Sequence, residues 1–164
     1  MPKEITLSRG LVTIVDDWNY DWLNSFRWCC DNYGYASRNH WAAGGERTTI
    51  HMHRLILKLE KGDGEQGDHI NHDRLDNREV NLRVCSHAEN TRNQKAQTRT
   101  TSSRFKGVCW SKEKNRWIAQ IYYERKPVYL GRFKVETAAA QAYDNAALQY
   151  FGDFACTNKA LGLL

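Results

Sequence analysis

The 164-residue chain has no apolar run near the 18 or so residues that a membrane-spanning helix requires, so a helical membrane protein is excluded and no membrane partner is expected. It also has no C-x-x-C pair. Its five cysteines (Cys29, Cys30, Cys85, Cys109 and Cys156) are odd in number, which argues against a full disulfide framework, and adjacent Cys29 and Cys30 make a poor zinc clamp. They read as reduced thiols of a cytosolic protein. The opening MPKEITLSRG lacks an apolar core and is not read as a secretory signal. No internal repeat is present. The length suits one ordinary domain or two small ones.

Negative charge is scarce in one region. From Arg83 to Lys134 there are thirteen Lys or Arg against three Glu, a local balance of +10 in a chain whose net charge is +5, so the remainder carries −5. Such asymmetry suits a polyanionic partner for one part of the molecule, and equally suits a solvated basic face.

Residues 5–53 look β-rich: LVTIV from Leu11 is of strand length, and YGYASR and TTIHMH carry β-formers. Between them DDWNYDWLNSF reads as a short helix with Asp16 or Asp17 at its N-cap, and HRLILKLE from His53 as another, ended by Gly62, Gly64 and Gly67. The tryptophans and tyrosines of this half are expected in the core. Ser86 followed by Glu89 is a capping box, which starts a helix with Asn90 about one turn in. KAQTRTTSS, Lys95 to Ser103, has no apolar periodicity and reads as a basic linker containing a domain boundary. RFKGVCW, RWIAQIYY and PVYLGRF are then three strands, and VETAAAQAYDNAALQYF is a helix ended by Gly152. The chain is therefore read as α+β, divided into residues 1–97 and 98–164.

Between these parts lies DHINHDRLDNREVNLRVCSHAEN, Asp68 to Asn90. Two histidines and two aspartates within six residues fit a solvated turn, a metal cage or a hydrolytic centre. Hydrolysis of a phosphodiester needs an activated water and neutralised phosphate charge. A histidine can take the water's proton near neutral pH, and an oxygen-ligated divalent ion can supply the electrostatics.

The D-H pair, the L-D-N turn (Leu75 to Asn77), N-L (Asn81, Leu82) and A-E-N (Ala88 to Asn90) together resemble the HNH nucleases of the phage and intron homing-endonuclease branch, over about 40 residues from His53 to Asn93. The resemblance implies a ββα-metal fold around motif residues 68–93, with double-stranded DNA as partner and one Mg²⁺ or Mn²⁺ per site. It implies His69 as general base, Asp68 and Asn90 as metal ligands, and Asn81 as a structural residue that holds the loop so that His69 points correctly. Asp73 and Asp76 are expected to form turns. His53, His72 and His87 keep open roles. Arg92 is a candidate phosphate contact, as are Arg54 and Asn93. A phage-encoded protein of this type would act in the bacterial cytoplasm.

In the last part, alternation puts Trp117, Ala119 and Ile121 on one strand face and Arg116, Ile118, Gln120 and Tyr122 on the other. The first suits an alanine-rich helix with Ala138, Ala142 and Ala146 at i+4 spacing. The second could enter a major groove. FKGVCW, RWIAQI, YLGRF and AAAQAYDNAALQYFG with Asn158 resemble the plant APETALA and ethylene-response-factor (AP-two/ERF) DNA-binding domain from Ser103 to about Asn158. Position by position this implies Lys106, Gln120, Tyr122, Tyr129 and Arg132 as DNA-facing. Cys109 and Pro127 stand where relatives carry arginines, so the plant target sequence does not transfer. Lys112, Lys114 and Arg116, in or beside the first turn, are candidate phosphate contacts, and Tyr143 is expected between helix and sheet.

The combined expectation is a metal-dependent, site-directed DNA endonuclease that nicks one strand, with no small-molecule cofactor and with monomer or dimer undetermined. The rivals are a DNA-binding transcription regulator with an inactive HNH domain, and a structural metal-binding domain with no nucleic-acid partner.

Overall fold

The short apolar run near the start forms a hairpin in the computed structural model, which describes residues 1–41, 44–60, 62–94 and 102–164. Strand β1 (Lys3–Thr6) pairs antiparallel with β2 (Val12–Val15), and period-2 alternation turns Ile5, Thr13 and Val15 inward. Helix α1 (Asp17–Asn24) follows with Asp16 at its N-cap; Trp28 closes it from below by donating its indole N–H to the Leu23 carbonyl at 2.8 Å.

Strands β3 (Cys29–Cys30), β4 (Ala36–Trp41) and β5 (Arg47–His51) make an antiparallel sheet in that order, and helix α2 (Met52–Ile56) leaves its last strand directly. Ile5, Val15, Leu23, Trp28, Met52 and Leu82 gather into one core. Not all the aromatics join it. Trp18, Trp41 and Tyr33 are 68%, 65% and 74% exposed, contrary to the expectation that they pack inside. For Trp18 the reason is polar: its indole N–H reaches Glu79 Oε1 at 3.0 Å instead.

Strand β6 (Gln66–His69) pairs antiparallel with β7 (Leu82–Cys85), and helix α3 (His87–Asn93) begins one residue after Ser86. Twelve residues, 70–81, connect the two strands.

The remaining residues form a three-stranded antiparallel sheet and a helix, as the alternation suggested. Strand β9 (Arg116–Tyr123) is central, between β8 (Val108–Ser111) and β10 (Lys126–Phe133). Helix α4 (Glu136–Phe151) lies against it and ends at Gly152, whose φ of 52° favours a residue without Cβ. Ala119 and Ile121 are buried beneath this helix as expected. The buried helix stripe is Ala139, Ala140, Tyr143, Ala146 and Ala147; Ala138, expected to pack, is exposed. Asn158 is fully buried and ties the chain beyond α4 back to β8: its Oδ1 accepts from Lys106 N–H at 2.7 Å, while its own backbone N–H donates to Asp144 at 2.7 Å.

The chain divides into two compact units, Met1–His87 and Ala88–Leu164. The expected linker Lys95–Ser103 lies largely outside the described residues, as does the expected boundary at 97/98. Most of α3 thus belongs with the second unit, for reasons given below.

Gly107 shows how tightly the second unit is built. Its φ is +75°, and a Cβ there would sit 1.9 Å from Tyr143 Cδ2. Gly107→Ala is expected to destabilise this unit by about 2–3 kcal/mol through overpacking and left-handed strain, as urea unfolding would measure; an unchanged midpoint would contradict the packing.

Candidate functional site

His69 ends β6 and Asp68 precedes it; the strand alternation places them on opposite sides, and both are buried, at 4% and 7% exposure. Asp68 faces Arg83 across the β6–β7 pair, and that register brings the guanidinium to its Oδ2 at 2.9 Å from Nε and 2.7 Å from the terminal nitrogen. Sequence reasoning missed this partner, because Arg83 becomes the neighbour of Asp68 only once the register is known. A charge-assisted contact of this kind satisfies a carboxylate that burial has removed from water.

The imidazole of His69 lies among rings. The His53 ring centroid is 5.0 Å away and that of Tyr35 is 5.8 Å away. Burial lowers the pKa of His69, so the ring is neutral near neutral pH. His53 is pushed further, to about 3, by burial and then by the neighbouring His69. Gly67 makes room for it, since a Cβ there would stand 2.7 Å from His53 Cδ2. His53 is therefore a packed, neutral ring behind the candidate base. His72 occupies a turn at φ 65°, and the Nδ1 of His87 is 3.1 Å from the Gln66 side chain.

The loop after His69 is fixed by side chains that bind backbone. Asn81 Oδ1 accepts from Asn71 N–H at 3.0 Å, and its Nδ2 donates to Asp76 O at 2.7 Å. Asp73 accepts from Leu75 N–H at 3.0 Å, a turn-forming contact. Asp76, 4% exposed, takes two 2.7 Å bonds from Arg78, which holds its carboxyl below the usual range. From outside, Glu79 accepts from Asn19 at 2.8 Å and gives its backbone N–H to Asp16 at 2.7 Å, so α1 pins the far end of the loop.

In the second unit Asn90 and Arg92 sit on α3, and the Arg92 guanidinium lies 5.1 Å from the centroid of the Phe151 ring. The Lys106 ammonium is turned to backbone carbonyls. It donates to Arg92 O at 2.8 Å and Gln94 O at 2.6 Å, capping the carbonyl end of α3, and burial lowers its pKa. Lys106, expected to face DNA, here ties α3 to the second unit.

The register of β9 with β10 sets Gln120 opposite Tyr129, Tyr122 opposite Pro127 and Arg132 opposite Ile118, all on the face away from α4. Tyr122 and Tyr129 are 63% and 58% exposed, and Arg132 is exposed. Lys114 pairs with Glu113, and Arg116 donates to Asn115 O at 2.7 Å; Lys112 is exposed beside them. Gln120 and Tyr122 also border a cavity of about 330 Å³ whose other walls include Thr91 and Arg92 of α3 and Tyr143 and Phe151 of α4.

Comparison with known proteins adds a class to this geometry. Residues 51–92 match the family model described as HNH endonuclease. The chain carries an HNH endonuclease domain. Over 157 residues it is 28% identical to an uncharacterized HNH endonuclease of Acanthamoeba polyphaga mimivirus, covering 93% of this chain and 79% of that one. It is also 54% identical over 57 residues to an AP2/ERF and B3 domain-containing protein of Oryza sativa subsp. japonica, and 41% identical over 64 residues to an AP2-like ethylene-responsive transcription factor of Arabidopsis thaliana. These matches cover 35% and 39% of this chain but only 15% and 13% of the plant proteins. No helix among the described residues is long and apolar enough to cross a membrane.

The buried histidines make stability depend on acid. His53 titrates near 3 in the fold and near 6.5 when unfolded, so unfolding takes up a proton between those values. Its contribution is complete above about pH 6.5 and is lost as pH falls towards 3, a change on the order of 3–5 kcal/mol. His53→Gln is expected to flatten the fall of Tm between about pH 6 and pH 4; equal slopes for both proteins would show that His53 is not held neutral.

Proposed function

We propose that the chain is a metal-dependent, site-directed DNA endonuclease of the homing type, with His69 as the general base that takes the proton of the attacking water. The observation that carries this reading is a buried, neutral imidazole next in the chain to a buried aspartate paired with Arg83, inside the residues that match the nuclease family. Asn81 holds the loop that follows the strand bearing that imidazole.

Asp68 and Asn90 are the proposed ligands of one divalent ion, an assignment that rests on the resemblance of the motif to the HNH nucleases. Their donors are oxygens, which suit Mg²⁺ or Mn²⁺ better than Zn²⁺. Among the described residues no three His, Cys, Asp or Glu gather to form a closed cage. One carboxylate and one carboxamide leave most of a coordination shell to water and phosphate oxygens, the manner in which Mg²⁺ is usually held. When bound, the ion would neutralise charge on the scissile phosphate and the departing 3′ oxygen.

The functional division is 1–97 for the nuclease and 98–164 for an AP2/ERF-like DNA-binding module. The likeness to the plant proteins and the basic, aromatic face bearing Arg116, Gln120, Tyr122, Tyr129 and Arg132 support the second part. One active site per chain implies a nick in one strand. A second reading, a DNA-binding regulator with an idle nuclease, draws support from the Arg83 guanidinium that already grips Asp68.

Supercoiled plasmid with Mg²⁺ or Mn²⁺ separates the two. His69→Ala is expected to slow nicking by about 100-fold or more. Two inert proteins on DNA carrying a verified binding site, or two that cut equally, would defeat the nuclease assignment. Arg132→Ala should weaken binding and lower the salt slope of log K by about one; an unchanged slope would remove Arg132 from the interface.

A further inference from the structure

Thr13 is fully buried on β2, far in sequence from the histidine motif and outside residues 51–92. Its hydroxyl donates to Leu75 O at 2.7 Å. Having spent its one proton there, its oxygen accepts from Asn77 Nδ2 at 2.8 Å. The other side of that amide nitrogen faces Arg74 O at 3.5 Å. Asn77 is 1% exposed, so no water competes for these groups. Its Oδ1 must then be the atom 3.2 Å from His69 Nε2. A flipped amide would set its oxygen against the Arg74 carbonyl and against a hydroxyl already committed to Leu75.

An amide oxygen can only accept. The ring nitrogen facing it therefore carries the proton, and in a neutral imidazole the lone pair is then on Nδ1. We propose that Thr13 and Asn77 are positioning residues for hydrolysis: through the relay Leu75 O, Thr13 Oγ1, Asn77, they fix His69 as the Nε2–H tautomer and make Nδ1 the proton acceptor. This deepens the reading of His69 as general base and rests on it for its catalytic meaning, though not for the tautomer itself.

Backbone contacts explain why a strand from the start of the chain can do this. Ile14 N–H donates to Leu75 O at 2.8 Å, and Asn77 N–H donates to Ile14 O at 2.8 Å. Strand β2 therefore adds residues 75–77 as a short parallel neighbour, with a bridge between Ile14 and Asp76. The register of that contact delivers the Thr13 hydroxyl to the Asn77 amide.

The test uses the full chain labelled with ¹⁵N, with His69 assigned by its loss in His69→Ala. Imidazole nitrogen shifts should place the proton of wild-type His69 on Nε2. Thr13→Val keeps the shape but loses the hydroxyl, so it should admit the Nδ1–H form, lower kcat for nicking by about tenfold and leave KM unchanged; Thr13→Ser should restore both. A wild-type Nδ1–H tautomer overturns the proposal and requires no variant to fold. So does Thr13→Val with unaltered ring shifts and kcat within twofold of wild type. If the tautomer shifts as expected while no protein cuts DNA, the relay stands and the nuclease reading fails.

Discussion

The candidate site depends on the attachment of residues 75–77 to β2. The connection between β6 and β7 is twelve residues long, 70–81, and a free segment of that size would cost roughly 1–2 kcal/mol per residue to order. Two main-chain bonds to Ile14 and one from the Thr13 hydroxyl fasten its middle, and Asp16 and Asn19 fasten its end at Glu79. Asn81 then closes it internally between Asn71 and Asp76. Almost every donor in this strap has a named acceptor, the condition under which buried polar groups rigidify rather than destabilise. The first hairpin is thus part of the site's architecture, not merely a preceding segment.

Electrostatics follow from that rigidity. His69 and His53 are kept neutral by the dense packing around them, and their rings meet with Tyr35 in a shared stack. Two carboxylates of this unit are paired instead. Asp68 and Asp76 are each given a guanidinium, Arg83 across the strand pair and Arg78 two residues along the loop, and Arg78 holds the Asp76 carboxyl below its usual range. A neutral imidazole and an arginine-paired aspartate thus occupy adjacent positions, and each arrangement has a separate, identifiable cause.

Much of this was legible in the sequence, and the rest was not, for definable reasons. Local signals located α1, β2, the three strands of the second unit and α4, because each depends on periodicity or a cap close by. The resemblance carried by the D-H, L-D-N, N-L and A-E-N pieces pointed to the HNH nucleases, and residues 51–92 match that family model. Contacts of long sequence separation stayed hidden: nothing near Thr13 announces Asn77, 64 residues away. Register hid Arg83 as the partner of Asp68. The carbonyls that receive the Lys106 ammonium were hidden too, since the resemblance speaks only of a DNA-facing position and the tertiary fold alone brings the end of α3 to it. The exposed tryptophans ran against expectation, since composition cannot say which indoles have a polar partner at the surface.

The capping of α3 by Lys106 also constrains how such a chain can be assembled from parts during evolution. A recombination joint placed after α3 would leave the helix with open terminal carbonyls and strand a half-buried ammonium on the other fragment. A joint before residue 88 keeps donor and acceptors on one inherited piece. The segment bearing Asn90, which lies within the residues that match the nuclease family model, would therefore travel with the sheet module whenever that module was exchanged.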